Sequence, residues 1–268
     1  MLGKLLKYDL RSLSKVLLFV HLPLLALACI IRFFVIDRLF VHGPEFFTLS
    51  AIIVGFSYLV IVGFVTQIYY GLYVYRNLFT DQGYLTLTLP ASANAHVLSK
   101  VLSGFIWISI DQIFIYASIL IAFVTPKVIH IFSDNKEEFF KVMELTLGMS
   151  PEQFIFWVVV ISILGGLFQA MLIVGCICVG QLFNKNRAVI SIVVYFIYLT
   201  SMQLITFFYS FSSSWSDQLM ASSDTDAILF SNSYMSEIFM LSLVLTIAGG
   251  IVSYFLSVWI IKKKVNLH

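Results

Sequence analysis

Six stretches of this chain, near residues 16–36, 48–75, 97–124, 153–182, 189–210 and 235–261, are apolar for long enough to cross a bilayer. A helix needs roughly 20 apolar residues to cover the ~30 Å hydrocarbon core, and each of the six meets that length. The composition agrees: 60% of residues are hydrophobic and 11% are charged, with a mean hydropathy of +0.98. A chain of this kind has lipid as its solvent. The expected fold is all-α, a polytopic membrane protein of six transmembrane helices forming one domain over residues 1–268. The first span is expected to remain in the mature protein. A long basic stretch precedes it, no small-residue cleavage site follows, and its apolar part fills a full span.

Sidedness follows from the basic residues, which favour the cytoplasmic side of short loops. Lys4, Lys7, Arg11, Lys15, Arg76, Lys100, Lys185, Arg187, Lys262, Lys263 and Lys264 fall on one side of the six spans. Arg38, Lys127, Lys136 and Lys141 fall on the other, among most of the acidic residues. Both termini are therefore expected in the cytoplasm of a multi-pass plasma-membrane protein. The net charge of +2 averages a basic rim with an acidic one, so it does not imply a nucleic-acid partner.

Between the spans the chain reads as follows. Residues 1–15 place Leu2, Leu5, Leu6, Leu10 and Leu13 on one face, with Lys4, Lys7, Tyr8 and Arg11 around it. That pattern predicts an amphipathic helix lying on lipid at the inner interface before the chain turns into the membrane. Pro44 breaks helix in the short first outer loop. In the outer loop 125–152, Asp134 and Glu137 have capping-box spacing. Phe139, Phe140, Met143 and Leu147 follow at helical spacing, predicting one short amphipathic helix. Ser150, Pro151 and Gln153 repeat the cap logic at the start of the fourth span. The outer loop 211–234 is rich in Ser and Asp and holds no Lys or Arg. The longest segment between spans is under about thirty residues, whereas a self-sufficient domain needs ~50, so no soluble domain fits.

The chain has no G-x-x-x-x-G-K-[ST] phosphate loop, no H-E-x-x-H pair and no G-x-S-x-G turn, so neither nucleotide hydrolysis nor other enzyme chemistry is expected of it. No resident metal or cofactor is expected either. Cys29, Cys176 and Cys178 all fall inside spans, where they read as small apolar fillers. Ionisable groups within the membrane are costly and usually have a reason. Asp111, beside Gln112 and about eleven residues into the third span, is the one acid that reaches far into the bilayer; the two are candidates for a substrate path, with a proton relay, a hydrogen bond to a neighbouring helix or a shallower depth as the other readings of Asp111. Arg32 is placed to snorkel. His21, Gln67, Gln169, Gln181 and Gln203 read as groups that hold helices together, with no catalytic dyad among them. Small residues four apart, Gly166 and Ala170, Cys176 and Gly180, Gly249 and Ser253, Ser253 and Ser257, predict close packing of the fourth and sixth spans.

The segment 76–96 is more structured than a connector requires. It reads as a turn at Thr80, Asp81, Gln82 and Gly83, then an extended apolar piece from Tyr84 through Leu87 to Leu89. Pro90 follows, then Ser92 as the cap of a helix that leads through His96 and Lys100 into the third span. Such a segment on the cytoplasmic side suits docking onto a soluble partner.

Two stretches, MLGKLLKYDLRSLSK at the N-terminus and DQGYLTLTLPAS after the second span, resemble the permease subunits of type-2 ABC exporters, the six-span family of Gram-positive bacteria. The resemblance implies a permease that pairs with a second, equal or different permease and with two cytoplasmic ATPase subunits, which bind ATP and Mg. It also implies that 76–96 carries a coupling helix entering the ATPase, with Asp81, Gly83, Tyr84, Leu87, Leu89, Pro90, Ser92 and His96 as coupling residues. Residues 1–15 would form the connecting helix beside it, and short helices would fall within 211–234. The chain departs from the family at Asp81-Gln82, where an acidic pair is expected. The apolar, aromatic interior suits an amphiphilic substrate such as an antimicrobial peptide, an antibiotic or a lipid. The alternatives are a non-transporting sensor or assembly partner and a secondary transporter.

Overall fold

The computed structural model describes the backbone of residues 1–36, 46–88, 91–147, 150–218 and 224–263, and their side chains except at 84–85, 87, 146–147, 213–218 and 224–236. Nine α-helices account for nearly all of it: α1 Leu2–Ile31, α2 Phe46–Phe79, α3 Asp81–Leu87, α4 Ala93–Phe123, α5 Pro126–Asp134, α6 Lys136–Leu147, α7 Pro151–Gly180, α8 Arg187–Gln218 and α9 Asp224–Lys263. A π-helical turn, Arg32–Ile36, extends α1, and no strand occurs among the described residues. Six helices, α1, α2, α4, α7, α8 and α9, are long and apolar enough to cross a membrane. Each of the six apolar runs lies on one of them. Large apolar side chains such as Phe19, Phe46, Phe208 and Phe255 are exposed along these helices. In water that surface would be an aggregation hazard; against hydrocarbon it is the ordinary outer face of a membrane bundle.

Four stretches depart from the sequence reading: 1–15, 125–152, 211–234 and 80–87. Helix α1 runs unbroken through residue 15, so 1–15 forms its first turns rather than a separate helix. Its polar face is as expected, with Lys4, Lys7, Tyr8 and Arg11 exposed. Residues 125–152 hold two helices instead of one. Thr125 accepts from the Val128 N–H at 3.4 Å and Pro126 opens α5, a cap signal the reading passed over. Asp134 consequently ends α5 and pairs with His130 at 2.8 Å, rather than capping α6. The segment 211–234 is helical at both ends, α8 reaching Gln218 and α9 starting at Asp224, with 219–223 outside the described residues. Both serine caps are present as read. Ser92 accepts from the Ala95 N–H at 3.2 Å, and Ser150 with Gln153 forms a reciprocal capping box at the start of α7.

The chain divides into two compact units, Met1–Asp134 and the part from Asn135 onward. In the first, α1 packs along α4 and α2. The stripe that α1 buries is Asp9, Leu13, Leu17, His21, Leu24, Ala28 and Ile31, spaced three or four apart as one helix face requires. Towards the far end of α1, Ala28, Ile31, Val35 and Ile36 close an apolar core with Ala122 of α4. Arg32 donates to the Ile121 carbonyl at 3.1 Å, which ties that end of α1 to α4.

In the second unit, α7 packs against α9 and both touch α8. The small residues do permit close approach. A Cβ on Gly175 would fall 2.6 Å from Ser253 Cβ, and one on Gly250 would fall 2.5 Å from Phe168 Cδ1. Gln169 bridges to α8 by donating to Tyr195 Oη at 2.6 Å. Gly175→Leu is therefore expected to destabilise the folded chain by ~1–3 kcal/mol through overpacking. Gly165→Ala, whose Cβ would meet nothing within 4 Å, should lose nothing. Unfolding midpoints of the detergent-solubilised variants check the pair.

Candidate functional site

Two buried polar nodes lie between α1, α2 and α4. The lower node is centred on Asp9 of α1. Its Oδ1 accepts from Lys100 Nζ at 2.5 Å and from Tyr73 Oη at 2.6 Å; its Oδ2 accepts from Ser99 Oγ at 2.6 Å. Asp9, Ser99 and Lys100 are each no more than 4% exposed. The Lys100 ammonium also lies 5.1 Å from the Tyr73 ring centre, within cation–π range. One oxygen thus receives two donors and the other one, so the carboxylate is well satisfied despite its burial. Such satisfaction is what a buried ion pair requires to persist. A step further in, Tyr70 donates to the Lys100 carbonyl at 2.8 Å, and Ser103 donates to the same oxygen at 2.9 Å.

The upper node is centred on Asp111 of α4. Its Oδ1 lies 2.6 Å from His21 Nε2 and accepts from Thr66 Oγ1 at 3.1 Å. The other ring nitrogen of His21, Nδ1, lies 2.6 Å from the Leu17 carbonyl. His21 and Thr66 are fully buried and Asp111 nearly so. The two nodes are twelve residues apart on α1 and eleven apart on α4, so the helices run parallel and in register. The charges alternate: acid on α1 meets base on α4 below, and base on α1 meets acid on α4 above.

Below the lower node, α2 passes through a bend at Thr80 into α3 and then into α4. The expected turn at 80–83 and extended piece from Tyr84 to Leu89 are replaced by helix over Asp81–Leu87. The alternating LTLTL suits a strand only where another strand offers backbone partners; a short helix satisfies its own N–H and C=O groups. Asp81 stands in the first turn of α3, where a negative charge is favoured by the helix dipole. The Gly83 N–H donates to the Thr80 carbonyl at 2.7 Å, and a Cβ at Gly83 would strike the Leu78 carbonyl, so the reversal has room for glycine alone.

The sequence-assigned coupling residues therefore divide. Asp81 and Ser92 are exposed, whereas Gly83 is buried. Leu89, Pro90 and the side chains of Tyr84 and Leu87 lie outside the described residues. His96 is buried in this chain, 2% exposed and one helical turn before Lys100, and neither ring nitrogen has a hydrogen-bond partner among the described residues. Of the two substrate-path residues, Asp111 is held in the upper node and Gln112 takes no part in it.

Sequence reasoning missed Asp9 altogether and counted Lys100 as a charge on the rim. It also did not pair His21 with Asp111, although the two are hydrogen-bonded across the helices. The available signal was the periodic stripe of α1, in which Asp9 and His21 occupy positions otherwise held by Leu13, Leu17 and Leu24. Comparison with protein-family models, with curated proteins and with solved structures returns no match to this chain.

Proposed function

We propose that this chain is the membrane permease subunit of an ATP-driven exporter of the type-2 ABC class, moving an amphiphilic substrate across the plasma membrane. The observation that carries the reading is the junction of α2, α3 and α4. A short helix follows the second span, a serine-capped helix enters the third, and two turns later Lys100 grips Asp9 near the start of α1. The short helix packs against α2, and α2 in turn holds Lys100 of α4 through Tyr70 and Asp9 of α1 through Tyr73, so a force applied to α3 from the aqueous side has a route into both helices by way of α2. On this reading α3 and both termini face the cytoplasm, two ATPase subunits dock there with their ATP and Mg, and a second permease completes the pathway. ATP binding would close the ATPase pair and shift the bundle between two arrangements through contacts that differ between them. A difference of about 5.5 kcal/mol carries such an equilibrium from 1:99 to 99:1, so modest contacts suffice.

The test uses the full chain co-expressed with candidate stand-alone ATPases. Asp81→Lys together with Gln82→Arg, both exposed, is expected to release a bound ATPase and abolish permease-dependent ATP turnover while the bundle keeps its unfolding midpoint. Unchanged binding by that variant, or no ATPase bound by the wild type, overturns the reading. A proton-coupled carrier is the rival that a specific observation favours, because the upper node places a histidine–carboxylate pair inside the bundle. Substrate movement driven by a pH gradient without any ATPase would select it.

A further inference from the structure

The upper node fixes where its protons are. Nδ1 of His21 lies 2.6 Å from the Leu17 carbonyl oxygen, which can only accept, so Nδ1 carries a hydrogen. Nε2 lies 2.6 Å from Asp111 Oδ1. If both of those atoms were bare, a nitrogen lone pair would face a carboxylate lone pair at that distance, inside a site closed to water. One further proton must lie between them, on Nε2 or on Oδ1. The pair then carries no net charge in either arrangement: imidazolium with carboxylate, or imidazole with carboxylic acid. Thr66 donates to the same oxygen and supports both.

We infer that His21 and Asp111 form a proton-binding site in the membrane interior, whose single shared proton holds α1 against α4. With that proton lost, a neutral imidazole and a carboxylate repel across 2.6 Å and the link between the helices is gone. Parting of α1 from α4 therefore opens the site to proton release. The surroundings isolate this equilibrium. Between Lys15 and Arg32 of α1, between Lys100 and Phe123 of α4, and from Phe46 to Tyr75 of α2, His21 and Asp111 are the only Asp, Glu, Lys, Arg or His residues. The tyrosines nearest the lower node, Tyr70 and Tyr73, are engaged with Lys100 and Asp9. Phe114 lies 5.1 Å from the His21 ring and Gly63 faces Asp111 without a side chain of its own. The inference holds whether or not an ATPase drives the chain.

The test is the 15N spectrum of the histidine-labelled full chain in phosphatidylcholine nanodiscs, recorded between pH 6 and pH 8. His21 is assigned by the signal missing from His21→Gln. Free imidazole added to the same sample is the titration reference. Both His21 ring nitrogens are expected to stay hydrogen-bonded, with shifts that do not follow those of the free imidazole. Asp111→Asn cannot share a proton with Nε2, and its amide can at most donate to the bare nitrogen, so this variant should show an unprotonated Nε2 beside an unchanged Nδ1. A wild-type His21 that shows a free Nε2 lone pair at pH 8, or whose ring shifts follow those of the free imidazole, overturns the inference. The wild-type series decides the matter alone if Asp111→Asn does not fold.

Discussion

Lys100→Met is expected to be among the most damaging single substitutions in the chain, lowering folding stability by ~3–5 kcal/mol. Methionine keeps the length and apolar stem of lysine but leaves the Asp9 carboxylate buried with only Tyr73 and Ser99 to support it. The cost comes from the stranded charge, because breaking one side of a buried pair leaves the other side's desolvation unopposed. Asp9→Asn strands the ammonium instead and should cost a similar amount. Asp9→Asn combined with Lys100→Met strands neither and is expected to recover most of the loss. Tyr73→Phe and Ser99→Ala each remove a single hydrogen bond. Within membrane bundles such bonds contribute on the order of 0.6 kcal/mol, so these two variants should fall well short of the charge variants. Unfolding titrations of the four singles and the double in one detergent give the ranking. If Tyr73→Phe equalled Lys100→Met, the charge account of the node would be wrong.

Gly104→Leu is expected to destabilise by ~1–3 kcal/mol or more, because any Cβ at this position lands on the ring of Tyr70. Tyr70 has nowhere to retreat: it is fully buried and its hydroxyl is bonded to the Lys100 carbonyl. Pushing it aside breaks that bond one turn below Gly104 and disturbs the residue that holds Asp9. Tyr70→Ala alone should cost ~3–5 kcal/mol through the cavity it leaves. Since the new leucine would occupy part of that cavity, the double variant is expected to cost clearly less than the two singles summed. Strict additivity in the cycle would show that the glycine and the tyrosine do not share this space.

What could be read from the sequence was local, and what escaped was distant. The spans were legible because hydrocarbon demands an unbroken apolar run, whatever the rest of the chain does. The caps at Ser92 and Ser150 were legible because donor and acceptor sit three residues apart. Thr125-Pro126 carried an equally local signal, with the cap oxygen again three residues before its donor. The segment from Tyr84 was read as an extended apolar piece, but an extended segment needs backbone partners outside itself, which a helix does not. The two nodes join residues 90 and 91 positions apart. No local rule pairs Asp9 with Lys100, and counting charges by side of the membrane conceals such a pair. His21 was read as a group that holds helices together and Asp111 as either a substrate-path residue or one bonded to a neighbouring helix; the structure shows the helix-to-helix bond, but the sequence did not say that the two are each other's partner. The burial stripe of α1 would have exposed the link, since a polar residue on a helix's buried face needs a partner on a facing helix.

The alternating nodes also bear on how the chain is made. Helix α1 emerges from the ribosome some 90 residues before Lys100 and Asp111, the residues that neutralise its Asp9 and His21. At ~5–20 residues per second, that interval lasts roughly 5–18 s. Throughout it, α1 holds two polar side chains on the stripe that will later be interior, with no partner yet synthesised. Its strong hydropathy can secure entry into the bilayer, but not a final depth or rotation. Those are set when the third span arrives, and because the acid and base positions are exchanged between the two nodes, a slip of α1 along α4 would break both pairs. The first span is thus inserted early and registered late, and the insertion machinery must tolerate it unfinished in the meantime.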